Sequence, residues 1–261
     1  MGKIEYGETG QGPIVLVSHG TGGGYDRGLF VANSLASEDF RFIAVSRPGY
    51  LGTPLSVGRT PEEQADAFAA LLDFLGVPIT ALIGVSGGGP SVLQFCLRHP
   101  ARCRALVLVS GVIQALPRWR PSLGDRLARR LTTNEAVVGA SNQLLQGFAP
   151  EPAGGISHHP VAQFLRKVAN YKTRLDGRDN DYEQLATLPA YPLNRIACPT
   201  LIVHGTEDLE VPFSQAQFAA SQIPQAELLP VPNAGHGLLY RNPEKITLPV
   251  VQFLKKRAVP G

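Results

Sequence analysis

Short apolar runs alternate with amphipathic stretches along most of this chain. The runs are rich in aliphatic and β-branched residues and predict strands at Ile14–Ser18, Phe42–Ser46, Ile79–Val85, Ala105–Ser110, Thr200–His204 and Ala226–Val231, with a further candidate at Lys3–Tyr6. Between them, helical spacing of apolar residues predicts helices at Tyr25–Glu38, Thr60–Leu75, Pro90–His99, Ser214–Gln222 and Asn242–Lys256, the last interrupted by Pro249. This alternation predicts an α/β fold, with a largely parallel sheet and helices on both of its faces.

One helix has an unusually clear start. Thr60 can cap it, Pro61 suits the first helical position, and Glu63 stands three residues after the cap. The sequence therefore predicts a capping box here, and a helix that stops at Gly76.

The strand pattern disappears between Gly111 and Tyr191, where we predict helices at Asn134–Phe148 and Pro160–Leu175. A helical block between two sheet strands predicts an insertion over the edge of the sheet. We therefore expect a core domain formed by residues 1–111 and 192–261 and a helical cap formed by residues 112–191. The arginines from Arg118 to Arg130 do not share one helical face, which favours a solvated surface over a site for an acidic substrate group or a membrane surface.

Composition narrows the classes of function. The chain has 261 residues, 44% of them hydrophobic, and a net charge of +3, without the basic stripe expected of a nucleic-acid-binding protein. Residues 1–12 are too polar for a signal peptide, and no apolar stretch approaches the ~20 residues that span a bilayer. Cys96, Cys103 and Cys198 are an odd number of cysteines without a metal-like spacing, and Cys96 and Cys198 are interpreted as small core residues. We expect a cytoplasmic protein with no stable membrane association.

The chemistry centres on Gly84-Val-Ser-Gly-Gly88, which follows a predicted strand and precedes a predicted helix. In that context the pattern is typical of a nucleophilic serine on a sharp turn. Small residues are needed two positions before and after the serine, because the strained turn leaves no room for side chains. Ser86 is therefore the candidate nucleophile, with a close helix–sheet contact as the purely structural alternative.

A serine nucleophile needs a general base, and His236 is the best placed of the six histidines. It lies in a loop of small residues after the last predicted strand. We interpret His99 as a helix-end residue, and His19 and His204 as structural residues. The adjacent pair His158 and His159 has no third ligand at metal spacing, so we expect no metal site there.

A catalytic imidazole also needs a carboxylate partner. Asp208 follows the strand Thr200–His204, at the edge where parallel sheets place their ligands, with Glu207 and Glu210 as competitors. The order Ser86, Asp208, His236 is that of an α/β-hydrolase triad.

Backbone donors for an oxyanion are available close to Ser86. One is the Gly87 N–H, and the glycine-rich loop of residues 19–24 can supply the second from Thr21, with Gly22 as the alternative. Phosphate binding is the rival interpretation of this loop. It is disfavoured because no Gly-Lys-Ser/Thr sequence follows and the spacing is not that of a dinucleotide fingerprint.

At this point the sequence resembles the α/β-hydrolase superfamily over nearly its whole length. Five segments carry the resemblance, namely His19-Gly20, Arg47-Pro-Gly-Tyr50, the Ser86 turn, His204-Gly-Thr-Glu-Asp208 and Ala234-Gly-His236. It implies an eight-stranded sheet under a helical cap, with Ser86, His236 and Asp208 as nucleophile, base and acid, and with Thr21 and Gly87 forming the oxyanion hole. A serine nucleophile argues against the aspartate-dependent dehalogenases and epoxide hydrolases and against the cysteine-dependent dienelactone hydrolases.

We therefore expect a serine hydrolase that needs no cofactor or metal and cleaves a small or medium, partly apolar carboxylic ester. A carbon–carbon bond hydrolase or lyase with the same triad is the alternative. A non-catalytic ligand-binding protein is a third possibility.

Overall fold

The structure is a computed structural model that describes residues 2–35, 39–117, 126, 129–130, 132, 135–145 and 171–258. Within these residues one seven-stranded sheet forms the centre of the molecule. Its strands are β1 (Tyr6–Gly10), β2 (Ile14–Ser18), β3 (Arg41–Val45), β4 (Thr80–Val85), β5 (Cys103–Val109), β6 (Thr200–Gly205) and β7 (Ala226–Val231). They lie in the order β1-β3-β2-β4-β5-β6-β7, with β1 antiparallel to β3 and all other pairs parallel.

The expected parallel α/β sheet is confirmed, with two corrections. The described part of the chain contains seven strands rather than eight. In addition, the first strand covers Tyr6–Gly10, where we predicted Lys3–Tyr6. Gly7 fits this edge strand because a Cβ there would come within 2.6 Å of the Tyr25 ring, which takes the space that a side chain would need.

Eight α-helices have bounds that the structure describes. They are α1 (Tyr25–Ser34), α2 (Pro61–Phe74), α3 (Gly89–Arg98), α4 (Glu135–Leu145), α5 (Leu175–Ala186), α6 (Phe213–Gln222), α7 (Leu238–Arg241) and α8 (Pro243–Arg257). The capping box of α2 is present: the Thr60 hydroxyl accepts from Glu63 N–H, and the Glu63 carboxylate accepts from Thr60 N–H. Pro249 does not interrupt the last helix, because α8 runs through it.

The strands separate two apolar cores. Alternate strand residues such as Leu16 and Leu82 face one core, shared with α2, α3 and α6. Their neighbours Val17 and Ile83 face the other core, shared with α1, α7 and α8. Burial on both faces explains why the strands are continuous apolar runs instead of alternating ones.

The predicted helical insertion is described only in part. Its helix α4 confirms the helical interpretation of Asn134–Phe148, and α5 packs on the core, with Gly177 N–H donating to Gly49 C=O at 2.9 Å. Arg118, Arg120, both adjacent histidines and most of the helix predicted at Pro160–Leu175 lie outside the described residues. The division into core and cap domains stays a prediction.

None of the described helices combines the length and the hydrophobicity that a membrane-spanning helix requires.

Candidate active site

Ser86 occupies a strained turn at the end of β4. Its φ is +49°, in the left-handed region that favours glycine, and a short 3₁₀ turn leads from it into α3. A Cβ at Gly84 would collide with the Val92 side chain, and one at Gly88 would collide with the Ser18 carbonyl oxygen. The two glycines of the pattern are therefore required by lack of space, as the sequence predicts.

The structure brings Ser86, His236 and Asp208 into one hydrogen-bonded chain. His236 Nε2 lies 2.9 Å from Ser86 Oγ, and His236 Nδ1 lies 2.8 Å from Asp208 Oδ2. The three residues follow β4, β7 and β6, so the chain assembles along the carboxyl edge of the sheet. Because Nδ1 donates to the carboxylate, Nε2 of the neutral ring can accept the serine proton.

Several hydrogen bonds hold the Asp208 carboxylate in place. Its Oδ1 accepts from the N–H groups of Glu210 and Val211, both at 2.9 Å. His204 Nε2 donates to Val211 C=O at 2.8 Å and lies 3.3 Å from Asp208 Oδ2. His204 is thus a buried, hydrogen-bonded residue, as predicted.

The two competing acids are placed differently. Glu207 and Glu210 are both exposed to solvent. The Glu210 carboxylate lies 3.9 Å from His236 Nε2, on the side of the ring that faces Ser86. Of the three acids, only Asp208 can orient the ring through Nδ1.

The pKa values of Asp208 and His236 shift in opposite directions. Burial alone would raise the pKa of Asp208, but hydrogen bonds from His204, His236 and Val211 outweigh it and hold the pKa well below its usual range. Burial alone would lower the pKa of His236, but Asp208 and, to a smaller extent, Glu210 raise it above its usual 6.5. The carboxylate therefore stays ionised and stabilises the imidazolium form of the ring.

Backbone donors lie beside Ser86. A Cβ on Gly87 would lie 3.3 Å from Thr21 N, so the two peptide groups are neighbours. Gly87 is at the start of a helical turn, where the first N–H groups lack intrahelical partners. Within the described residues we find no hydrogen-bond partner for Thr21 N–H, whereas Gly22 N–H donates to the Tyr50 hydroxyl at 3.2 Å. Geometry thus favours Thr21 over Gly22 as the second donor.

His19 holds the glycine-rich loop in shape. Arg47 N–H donates to His19 Nε2 at 3.0 Å, so Nδ1 carries the proton and donates to Gly20 C=O at 2.7 Å. Burial, assisted by the charge of Arg47, holds the pKa of His19 well below its usual value. A neutral ring is what these two hydrogen bonds require.

A buried carboxylate that the sequence did not single out lies next to this loop. Asp181 on α5 accepts from Arg47 Nη1 at 2.8 Å, Arg47 Nη2 at 2.6 Å, Tyr50 OH at 2.7 Å and Thr21 Oγ1 at 2.7 Å. Both charged side chains are nearly inaccessible, at 2% and 3% exposure. The network joins α5 to the loop that carries the candidate oxyanion donor.

A large open cavity of about 1250 Å³ adjoins Ser86 and His236. Its described lining is mixed: Leu116 and Leu239 are apolar, while Arg27, Arg241 and Glu210 are charged. The cavity can therefore hold an organic molecule with both apolar and polar parts.

The cysteines that we interpreted as core residues are confirmed as such, because Cys96 and Cys198 are both buried in the apolar core. Their spacing along the sequence did not predict that they meet a third cysteine. The structure brings Cys96, Cys103 and Cys198 together as one cluster of buried free thiols.

Comparisons with known proteins show the family to which this protein belongs. Residues 14–247 match the model of the alpha/beta hydrolase family. An alpha/beta hydrolase fold protein from Nakamurella multipartita is 32% identical, with a TM-score of 0.75, over 97% of this chain and 94% of that one. The protein therefore belongs to the alpha/beta hydrolase family.

Two of the curated relatives are named as hydrolases. An uncharacterized hydrolase of Bacillus subtilis is 26% identical over 90% of this chain and 88% of its own length. A 2-hydroxy-6-oxononadienedioate/2-hydroxy-6-oxononatrienedioate hydrolase of Burkholderia vietnamiensis is 26% identical over 97% of this chain and 91% of its own length. These similarities support hydrolysis as the reaction and leave the scissile bond open.

Proposed function

We propose that this protein is a serine hydrolase that cleaves a carboxylic ester through an acyl-enzyme on Ser86. The observation that carries the proposal is the hydrogen-bonded chain from Ser86 Oγ through both nitrogens of His236 to Asp208, with contacts of 2.9 and 2.8 Å. It provides a nucleophile, a base within reach of its proton, and an acid that orients the base.

The steps follow from these contacts. His236 Nε2 takes the proton of Ser86 as Oγ attacks the ester carbonyl carbon, and the oxygen charge that develops is stabilised by the N–H groups of Thr21 and Gly87. His236 then returns the proton to the leaving alcohol. Water, activated by the same ring, hydrolyses the acyl-enzyme and frees Ser86. Asp208 stays ionised throughout and stabilises the transient imidazolium.

The substrate is a small or medium, partly apolar molecule. Leu116 and Leu239 offer apolar contact near Ser86, and the cavity is roomy on the scale of small-ligand sites. We propose that the helical insertion of residues 112–191 completes the walls of the site as a cap. The cytoplasmic location stays a prediction.

Hydrolysis of a carbon–carbon bond is the second candidate. The relative from Burkholderia vietnamiensis is named for a substrate that is a dioic acid without an ester link, so its hydrolysis must break a carbon–carbon bond. Arg27 and Arg241 line the cavity of the present protein and can pair with carboxylates of such a substrate.

A labelling experiment separates the candidates. Wild type, Ser86→Ala and the exposed control Ser221→Ala are treated with a fluorophosphonate and assayed with a short-chain aryl ester and with a vinylogous diketone. We expect labelling and ester turnover in wild type and Ser221→Ala and neither in Ser86→Ala. Labelling with turnover of the diketone alone would favour the carbon–carbon hydrolase. Absence of labelling in folded wild type would contradict both candidates and favour a ligand-binding protein.

A further inference from the structure

The cysteine cluster lies at the edge of the sheet opposite the candidate active site. Cys96 is in the last turns of α3, Cys103 is the first residue of β5, and Cys198 lies just before β6. Ser86, by contrast, follows the carboxyl end of β4. The two locations are therefore independent, and nothing in the proposed hydrolase mechanism uses the thiols.

The three sulfur atoms contact one another. Cys96 Sγ lies 3.2 Å from Cys103 Sγ, Cys103 Sγ lies 3.4 Å from Cys198 Sγ, and Cys198 Sγ lies 3.9 Å from Cys96 Sγ. The residues come from three different segments, so local chain geometry does not force this meeting. The arrangement presents three thiols to a single point.

The surroundings limit what such a point can bind. All three cysteines belong to an apolar core, and in the described part of the chain no histidine or carboxylate joins the group as a fourth ligand. Zn²⁺ in structural sites takes four ligands, and with three thiolates it would leave a net negative charge in an apolar environment. Cu⁺ with three thiolates would leave a larger net negative charge.

The distances between the sulfur atoms also argue against a tetrahedral or planar metal ion. An ion about 2.3 Å from three thiolates, in tetrahedral or planar geometry, would keep the sulfur atoms about 3.8–4.0 Å apart. Two of the three separations, at 3.2 and 3.4 Å, are shorter. Shorter separations suit a pyramidal three-coordinate centre, whose lone pair takes the fourth position and whose bonds lie on one side.

We propose that Cys96, Cys103 and Cys198 form a binding site for a trivalent thiophilic metalloid, with arsenous acid as the representative ligand. Three thiols and As(OH)₃ form three As–S bonds and release three water molecules. Each hydroxyl leaves with one thiol proton, and no electron is transferred. The product carries no net charge, so it avoids the desolvation penalty of a buried ion.

Two of the three cysteines lie close to the protein surface at this edge. Cys103 and Cys198 keep 8% and 7% of their surface accessible, and the flanking Ala197 is exposed while Arg104 is half-buried. A small neutral molecule such as arsenous acid can reach thiols at this depth through local opening of the edge.

The test is native mass spectrometry of the full-length protein with arsenous acid, after reduction with a phosphine and its removal. We expect one arsenic atom per chain with the loss of three hydrogens, because this mass change counts three As–S bonds. It should be accompanied by a near-ultraviolet sulfur-to-arsenic absorption band and by a higher melting temperature.

Variants locate the ligand. Cys198→Ser and Cys96→Ala should each bind arsenous acid more than ~100-fold more weakly than wild type, because each removes a direct ligand, and loss of a residue that only supports a ligand already costs up to ~100-fold. Any complex that still forms should show two As–S bonds and one retained hydroxyl. Ile202→Val, which removes one methylene from the same core, should bind as wild type.

Three results would overturn the proposal. They are a wild type that keeps three free thiols in excess arsenous acid, a Cys198→Ser variant that binds as tightly as wild type, and tighter binding of Cd²⁺ than of arsenous acid at the same thiols. The first needs no variant, so the proposal can fail even if the substitutions unfold the protein.

Discussion

Asp181→Asn tests whether the buried network between α5 and the glycine-rich loop stabilises the fold. Asp181 Oδ2 accepts from Arg47 Nη2, Tyr50 OH and Thr21 Oγ1, while Oδ1 accepts from Arg47 Nη1. Asparagine keeps the shape but replaces one acceptor oxygen with an NH₂ group. That group faces a donor in either orientation, and the buried guanidinium loses its counter-charge.

The magnitude follows from burial. Removing one partner of a buried pair destabilises proteins by about 3–5 kcal/mol, because the remaining charge has no solvent to compensate it. Arg47 is 2% exposed, and burial disfavours its charged form while Asp181 and Tyr50 raise its pKa despite that penalty. We therefore expect Asp181→Asn to lower the free energy of unfolding by about 3 kcal/mol, which corresponds to a midpoint about 1–2 M lower in urea.

The matched control lies on the same helix. Asp179 pairs with Arg129 at 2.8 Å, but the two side chains are 37% and 54% exposed. Exposed pairs contribute at most about 1 kcal/mol, so Asp179→Asn should unfold nearly as wild type does.

Ester turnover gives a second measurement for Asp181→Asn. The Thr21 hydroxyl loses its carboxylate acceptor and is left facing either a weaker, neutral amide oxygen or an NH₂ group, and the neighbouring N–H is a proposed oxyanion donor. We therefore expect kcat to fall by at least about 10-fold, with a smaller change in KM. This decrease is smaller than the ~10²–10³-fold loss of kcat known for complete removal of one oxyanion donor. Urea midpoints of Asp181→Asn and Asp179→Asn that coincide would refute the reasoning. A lower midpoint with unchanged kcat would refute only the link to the oxyanion site.

The remaining predictions concern the proposed triad and one helix cap. The kcat/KM for an ester should rise with pH through a midpoint above 6.5, because His236 must be neutral to act as base and its pKa is raised. Asp208→Asn should move that midpoint to lower pH and reduce kcat by about 10⁴-fold, and a wild-type midpoint at or below 6.5 would contradict this assignment. Ser86→Gly and Ser86→Ala should both be inactive. The free energy of unfolding of the glycine variant should exceed that of the alanine variant by about 1 kcal/mol, since φ is +49° at this position. Equal stabilities in urea would argue against backbone strain. Thr60→Ala should lower the free energy of unfolding by about 1 kcal/mol through loss of the capping box with Glu63, and an unchanged urea midpoint would contradict that cap.

Local sequence patterns predicted most of the sheet and the position of the serine turn. A strand buried on both faces must be a continuous apolar run, and β2, β4 and β6 all lie where such runs occur. The turn was equally predictable, because left-handed backbone at Ser86 and the lack of space around it require glycines at fixed offsets. The first strand was misplaced, since the glycines at positions 7 and 10 indicate a turn unless the neighbouring Tyr25 ring is known.

The candidate triad was predictable from topology more than from composition. Ser86, Asp208 and His236 are far apart in the chain, but each follows a predicted parallel strand. Parallel strands bring their carboxyl ends to one edge, so the order of segments was enough to suggest their meeting. The choice of Asp208 over Glu207 and Glu210 agrees with the contacts to His236 Nδ1 and Val211 N–H.

By itself the sequence determined the class of fold, the serine turn and the set of residues from which a hydrolase site can be built. Tertiary structure alone decided the burial of Asp181 and the meeting of the three thiols. The helix α5 that carries Asp181 is polar along most of its length, so periodicity gives no sign of which acid is buried. The thiols converge at the edge where β5 and β6 begin. Such convergence depends on side-chain direction and on how helix α3 packs against the sheet, and spacing along the chain encodes neither.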